Sequence, residues 1–102
     1  MSTAPLNFAG NRLTEICGRW QIRELALFGS VARGDYSPQS DVDVLIQFDS
    51  SAPWSAWDLL DLRAELTELF GRNVDLVEER SLVNPFRRRS ILRDKRVLYA
   101  AE

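Results

Sequence analysis

Apolar side chains recur at helical spacing in three segments of the chain. The segment from Trp57 to Phe70 is the clearest of the three. Ser55 or Asp58 can cap its start, and Gly71 follows its last apolar residue. The last segment opens at Asn84 or Pro85, both of which favour the start of a helix. We therefore expect three helices, over residues 7–19, 57–70 and 85–92.

Shorter runs rich in β-branched and aliphatic residues predict strands. The run IRELALF ends at Gly29, which is a turn residue. After Asp41, valine and isoleucine alternate with other residues up to Phe48, and a further short apolar run surrounds Asp75 beyond the long helix. A strand that follows a helical crossover is typical of parallel pairing. We expect strands over residues 22–28, 42–48, 73–77 and 97–99.

Two connections carry residues that a simple turn does not need. Residues 29–40 change to small and flexible side chains, which predicts a functional loop. Residues 49–53 break the second strand, and Trp54 and Trp57 lie in or beside that break. We expect Trp57 to pack in the core, whereas Trp54 is the better candidate for a surface that stacks a base or contacts a partner.

Length and charge limit the classes of function. With 102 residues, 45% of them hydrophobic, the chain can bury one core, so we expect a single domain over residues 1–102. The formal net charge is −2, so nucleic acid is not the expected main substrate and no basic field would hold the chain on a membrane. Neither a long apolar run nor a signal-peptide core is present, which predicts a cytoplasmic location.

The chain contains no histidine, and Cys17 is its only cysteine. An internal disulfide, a zinc site of histidines or several thiolates, and Ser/His or Cys/His nucleophilic pairs are therefore excluded. Carboxylates remain as the natural catalytic groups.

Two aspartates open the second predicted strand. Asp41 and Asp43 are two residues apart, so in a strand both carboxylates point to one face. Oxygen ligands of this kind suit Mg²⁺, which phosphoryl-type transfer from a nucleotide requires. If the second and third strands are neighbours, Asp75 can join the same metals or accept a proton from an attacking hydroxyl, and both roles stay open.

A candidate phosphate-binding segment follows the first strand. Gly29 allows a phosphate to approach the main chain, and Ser30 offers a hydroxyl donor where backbone N–H groups open a helical turn. Arg33 lies one turn later and adds a fixed positive charge. A second basic group, Arg87 to Arg89, is most simply a solvated helix face, with triphosphate or an acidic partner as the alternative.

The stretch GSVARGDYSPQSDVDVLIQF resembles the nucleotidyltransferase signature of the polymerase beta superfamily. Its Gly-Ser pair, ten-residue spacer and Asp-x-Asp are all present, and the third carboxylate of the family falls within NVDLVEE. The five matching positions are Gly29, Ser30, Asp41, Asp43 and Asp75. Including ELTELFGRNVDLV and the terminal RDKRVLYA, nearly the whole chain is similar to the minimal nucleotidyltransferases (MNT) of prokaryotes.

This resemblance implies an α/β (α+β) nucleotidyltransferase fold, in which helices flank a small mixed sheet. It also implies two Mg²⁺ ions on Asp41, Asp43 and Asp75, with ATP as the donor and an in-line attack on the α-phosphate that releases pyrophosphate. MNT proteins are commonly paired with a helical HEPN toxin. The resemblance therefore implies an antitoxin that transfers AMP to a toxin tyrosine.

Two other functions remain as alternatives. A binding-only antitoxin would cover the toxin surface and use the aspartates for nucleotide binding or for folding of the complex. Nucleotidylation of a small molecule is the second alternative, since larger relatives with this motif carry it out. The short chain leaves no second domain to recognise a small acceptor, whereas a protein acceptor brings its own recognition surface.

Overall fold

The computed structural model describes residues 10–101, in which four helices alternate with four strands. They are α1 (Gly10–Arg19), β1 (Ile22–Phe28), α2 (Gly29–Arg33), β2 (Val42–Phe48), α3 (Ala56–Phe70), β3 (Val74–Glu78), α4 (Pro85–Asp94) and β4 (Arg96–Ala100), with a 3-10 turn at Glu79–Ser81. The strands form one sheet in the order β3-β2-β1-β4. β1 is antiparallel to β2 and β4, while β2 and β3 are parallel. The expected mixed sheet with flanking helices is confirmed.

Alternate residues of β2 enter two different apolar clusters. Val42, Val44 and Ile46 pack with side chains of α1 and α3 on one face of the sheet. Leu45 packs on the other face with Ile91 of α4. Because side chains alternate along a strand, Asp43 shares the α4 face with Leu45. This face is where the sheet presents its acidic residues.

Helix α3 has defined signals at both ends. Ser55 is its N-cap, and Asp58 at the third helical position returns a side-chain bond to the Ser55 N–H, which completes a capping box. Gly71 ends the helix in the left-handed region, with φ of 73°, and donates its N–H to the Thr67 carbonyl. Asn84 is the N-cap of α4, and its side-chain oxygen accepts hydrogen bonds from the N–H groups of Phe86 and Arg87. These caps confirm the predicted start of both helices and the predicted end of α3.

Other boundaries differ from the expectations by a few residues. The first helix is described from Gly10, and residues 7–9 lie outside the described part of the chain. The last helix continues to Asp94, and the fourth strand covers Arg96–Ala100. The expectation of a single domain over residues 1–102 stays a prediction. In the described part of the chain, no helix combines the length and apolar character needed to span a membrane.

The prediction for the two tryptophans was wrong. Trp57 is 80% exposed, whereas Trp54 is half-buried and donates its indole N–H to the Trp20 carbonyl at 2.7 Å. The Trp54 and Trp20 rings lie 4.7 Å apart between centroids. The buried stripe of α3 is centred on Leu62 and Leu66, and Trp57 lies about 140° round the helix from Leu62. Trp57 therefore points away from the core.

The thiol of Cys17 is fully buried in α1, and its burial raises the pKa to about 12. Because the thiolate is the reactive form, we expect a thiol reagent at pH 8 to leave the folded protein unlabelled. In denaturant one thiol per chain should react, so that labelling follows unfolding. Rapid stoichiometric labelling of the native protein would show that α1 is not packed as described.

Candidate active site

Two of the predicted site aspartates face each other across neighbouring parallel strands. Asp43 of β2 and Asp75 of β3 are register partners, which places them side by side on one face of the sheet. Asp41 lies one residue before β2 and two before Asp43, at the same end of the sheet. The structure thus places Asp43 and Asp75 side by side and Asp41 at the same end of the sheet, although these residues are up to 34 positions apart along the chain.

The acidic groups influence one another electrostatically. Asp43 is half-buried, and this burial, followed by the negative charges of Asp75 and Asp41, raises its pKa above the ordinary carboxyl value. The positive charges of Arg33 and Arg87 act in the opposite direction. The site therefore concentrates negative charge next to two guanidinium groups.

The donor atoms of this cluster fit a hard divalent cation. Among residues 10–101, no three His, Cys, Asp or Glu side chains already converge in a metal-binding arrangement. Asp41 and Asp75 are exposed, so their carboxylates can rotate at little cost toward an ion bound beside Asp43. Three carboxylates at one end of a rigid sheet are a suitable ligand set for Mg²⁺.

Gly29 lies directly beside the Asp43 carboxylate. Its φ of 73° falls in the left-handed region, and a Cβ at this position would collide with Asp43 Oδ2. The backbone conformation therefore favours glycine, and a larger residue would also force the Asp43 carboxylate to move. This contact joins the predicted phosphate-binding segment to the predicted metal-binding aspartates.

The segment after Gly29 forms the short helix α2 rather than an open loop. Ser30 is half-buried in its first turn. Arg33 in its last turn donates from Nε to Asp35 Oδ2 and from Nη1 to Asp94 Oδ2, each at 3.3 Å. These two bonds hold the Arg33 guanidinium between α2 and the end of α4.

Arg72 is a site-supporting residue that sequence reasoning missed. Its Nη1 donates to the carbonyl oxygens of Ser37 and Ser40 at 3.0 and 3.2 Å, and its guanidinium carbon lies 5.1 Å from the centre of the Tyr36 ring. It thereby fixes the loop that leads into Asp41. No local pattern could reveal this role, because the partners of Arg72 are more than 30 positions away.

The basic run on α4 divides into residues with different surroundings. Arg87, Arg88 and Arg89 are all exposed, as expected for a solvated face. Arg88 lies 3.8 Å from Glu79, whereas the charge of Arg87 acts on Asp43. Arg87 is therefore the member of the run that belongs to the surroundings of the site.

The chain has clear relatives among known proteins. A family model described as a nucleotidyltransferase domain matches residues 11–98. The chain is 36% identical over 76 residues to a candidate protein adenylyltransferase from Methanocaldococcus jannaschii. This alignment covers 74% of the chain and 76% of the relative. It is 38% identical over 68 residues to the protein adenylyltransferase MntA of Thermococcus cleftensis, or 67% of each chain.

Solved structures share its fold. A toxin–antitoxin crystal structure with AMP-PNP aligns with a TM-score of 0.73 and 18% identity, over 93% of this chain and 76% of that chain. The MNT antitoxin in complex with a tri-AMPylated HEPN toxin from Shewanella oneidensis aligns with a TM-score of 0.63 and 17% identity. The alignment covers 89% of this chain and 69% of that chain. With the family model and the sequence relatives, the chain therefore belongs to the nucleotidyltransferase family, in the branch of the protein adenylyltransferases.

Proposed function

We propose that the chain transfers AMP from ATP to a tyrosine hydroxyl of a HEPN-type partner and thereby acts as its antitoxin. The observation that carries the proposal is the pairing of Asp43 with Asp75 beside Gly29, whose main chain faces the Asp43 carboxylate. Support for the acceptor class comes from the relative named as a protein adenylyltransferase and from the AMPylated HEPN toxin in a solved complex.

Asp41, Asp43 and Asp75 would hold Mg²⁺, and we propose two ions. The donor set supports this, because all three side chains supply hard oxygen atoms and the negative charge at Asp43 is incompletely compensated by the protein. Bound Mg²⁺ would neutralise the charge that develops on the phosphate oxygens.

The triphosphate is proposed to bind on the α2 side of Asp43. Gly29 presents main chain without a side chain, and Ser30 offers its hydroxyl as a donor. The N-cap of α2 is Phe28, whose side chain has no atom that could accept from the first N–H groups of the helix. Arg33, held by its two carboxylate partners, and Arg87 provide positive charge nearby.

In the transfer itself, a phenol oxygen forms a bond to the α-phosphorus as the bond to the bridging oxygen breaks, and pyrophosphate leaves. The phenol proton needs an acceptor. Asp75 is exposed at the start of β3 and is the natural candidate, as a general base, a metal ligand or both. Asp43 lies between this acceptor side and the phosphate side of the site.

The experiment is incubation of the purified chain with its HEPN partner, ATP and Mg²⁺, followed by mass spectrometry of the partner. We expect a mass gain of one or more AMP groups on a tyrosine, and none without Mg²⁺. A tight complex without any mass gain would instead establish the binding-only antitoxin. Mass gain on a residue other than tyrosine would retain the transferase and reject the proposed acceptor.

Replacing Arg72 with alanine tests how far the loop before Asp41 depends on its anchor. We expect transfer to fall about 10- to 100-fold, because small displacements of catalytic groups have effects of this size. Lysine should restore little, since it lacks the planar fork and stacking surface of arginine. Arg12→Ala is the matched control, since Arg12 is an exposed arginine of α1 that pairs with Glu68 of α3. Equal transfer rates for both variants would refute the anchoring role.

A further inference from the structure

A cleft of about 380 Å³ opens between α3 and the start of β3. Its walls include Asp41 and Asp75, so it is continuous with the proposed catalytic site. The other lining residues come from one turn of α3, from β3 and from the residue before β3, and they are Leu59, Leu60, Arg63, Asn73, Val74 and Leu76. Its volume lies in the range of sites that hold a small ligand or one large side chain, about 300–1,000 Å³.

The order of the strands assigns this cleft to one side of the reaction. In the order β3-β2-β1-β4, Gly29 at the end of β1 and Asp75 in β3 lie on opposite sides of Asp43 in β2. An in-line displacement needs the attacking and leaving oxygens on opposite sides of the phosphorus. With the phosphates on the Gly29 side, the attacking hydroxyl would arrive from the β3 side, past the open edge of that strand, and the cleft runs along this edge.

The lining of the cleft suits a side chain that is apolar along its length and polar at its tip. Leu60 is 54% exposed and Leu59 is half-buried, which leaves an apolar wall in contact with water. Trp57, 80% exposed, lies one turn before Leu60 on the same helix, outside the lining of the cleft but next to it. Asp75 is exposed on the edge strand β3 and lines the cleft, while its side chain shares the α4 face of the sheet with Asp43. An aromatic ring fits the wall and its hydroxyl fits the carboxylate.

The remaining wall is held in a fixed position. Arg63 donates from Nε to the Val74 carbonyl at 3.0 Å, which ties α3 to the edge strand of the sheet. Most of the cleft is therefore set by a helix and a strand. Sites built on such elements keep their geometry better than sites on loops.

We infer that this cleft receives the acceptor tyrosine of the partner protein, with Leu60 and Trp57 as the residues that select it. The inference rests on the proposed function and adds the surface that recognises the acceptor. A tyrosine ring would lie against Leu60, and its hydroxyl would point to Asp75. Trp57 would contact the polypeptide that flanks the tyrosine.

The test compares Leu60→Ala and Trp57→Ala with Val97→Ala in steady-state transfer of AMP to the HEPN partner. Val97 is a matched control, because it is 46% exposed on β4, at the opposite edge of the sheet. We expect kcat/KM for the partner to fall about 10-fold in each cleft variant, the effect of losing a moderately strong interface contact. The KM for ATP and the Val97→Ala values should stay unchanged. Both cleft residues are exposed, so folding should be unaffected.

Three results would overturn the inference, and each has a separate meaning. Cleft variants that match the control would leave the proposed function intact and place the acceptor elsewhere. A raised KM for ATP with an unchanged KM for the partner would assign the cleft to the adenine base. Absence of transfer by the unmodified chain would reject the proposed function itself, and the acceptor assignment with it.

Discussion

Replacing Asp43 with asparagine is expected to lower AMP transfer at least about 100-fold while the fold stays intact. Changes to groups that merely support metal ligands already cost about 10- to 100-fold, so loss of a proposed ligand should cost at least the upper end of that range. Asparagine has nearly the same size, and the half-buried position next to Gly29 can accommodate it. The measurement is the initial rate of partner mass gain with ATP and Mg²⁺.

The same substitution should raise the thermal stability of the metal-free protein at neutral pH. The pKa of Asp43 is raised in the folded state, so its ionisation opposes folding. The wild type therefore loses stability as the pH rises from the ordinary carboxyl pKa through the raised one, and this loss persists above it. An asparagine side chain cannot ionise, so the Asp43→Asn variant should melt at a higher temperature in EDTA at pH 7. At a pH below the ordinary carboxyl pKa, the melting temperatures of the variant and the wild type should no longer differ for this reason.

Asp49→Asn is the control, because hydrogen bonds from Ser51 lower the pKa of Asp49 and its ionisation favours folding. This variant should keep its activity and show no gain in melting temperature at neutral pH. Addition of Mg²⁺ should stabilise the wild type and the Asp49→Asn variant but not the Asp43→Asn variant. Full activity of Asp43→Asn, or equal stabilisation of it by Mg²⁺, would remove Asp43 from the proposed metal site.

The helices, the strands and the Gly-Ser and Asp-x-Asp motif could be predicted from the sequence because each depends on a local pattern of residues. The alternation of β2 and the caps of α3 depend on residues within a few positions of each other, and both are found as expected. The proximity of Asp43 and Asp75 could be predicted only if the second and third strands were neighbours in the sheet. The parallel pairing of β2 and β3 satisfies that condition.

The features that sequence reasoning missed depend on contacts between distant segments. Trp54 donates a hydrogen bond to the Trp20 carbonyl, 34 positions away, whereas Trp57 was assigned to the core as the first apolar residue of a helical pattern. Arg72 and Arg63 are ordinary arginines in the sequence, and their roles arise from carbonyl groups that the fold places beside them. The cleft likewise exists only once α3 packs along β3.

Replacing Gly29 with alanine is expected to abolish most of the transfer activity at a moderate cost in stability. An L-residue at a φ of 73° is strained by about 1–2 kcal/mol, which lowers the melting temperature of a domain of this size by roughly 4–16 °C. The new Cβ also overlaps Asp43 Oδ2, the free end of a short side chain. The Asp43 carboxylate can rotate away, so the second effect should appear in the chemistry rather than in the fold.

Gly71→Ala separates these two effects, because Gly71 has the same φ of 73° and nothing lies within 4 Å of the position of its Cβ. Both alanine variants should lose similar stability in thermal unfolding, while only Gly29→Ala loses transfer by about 100-fold or more, the effect of misplacing a catalytic group by about 1 Å. In an Asp43→Ala background, Gly29→Ala should cost no more stability than Gly71→Ala does. Wild-type transfer by Gly29→Ala would mean that the contact between this main chain and Asp43 is not required, and the phosphate side of the site would have to be placed elsewhere.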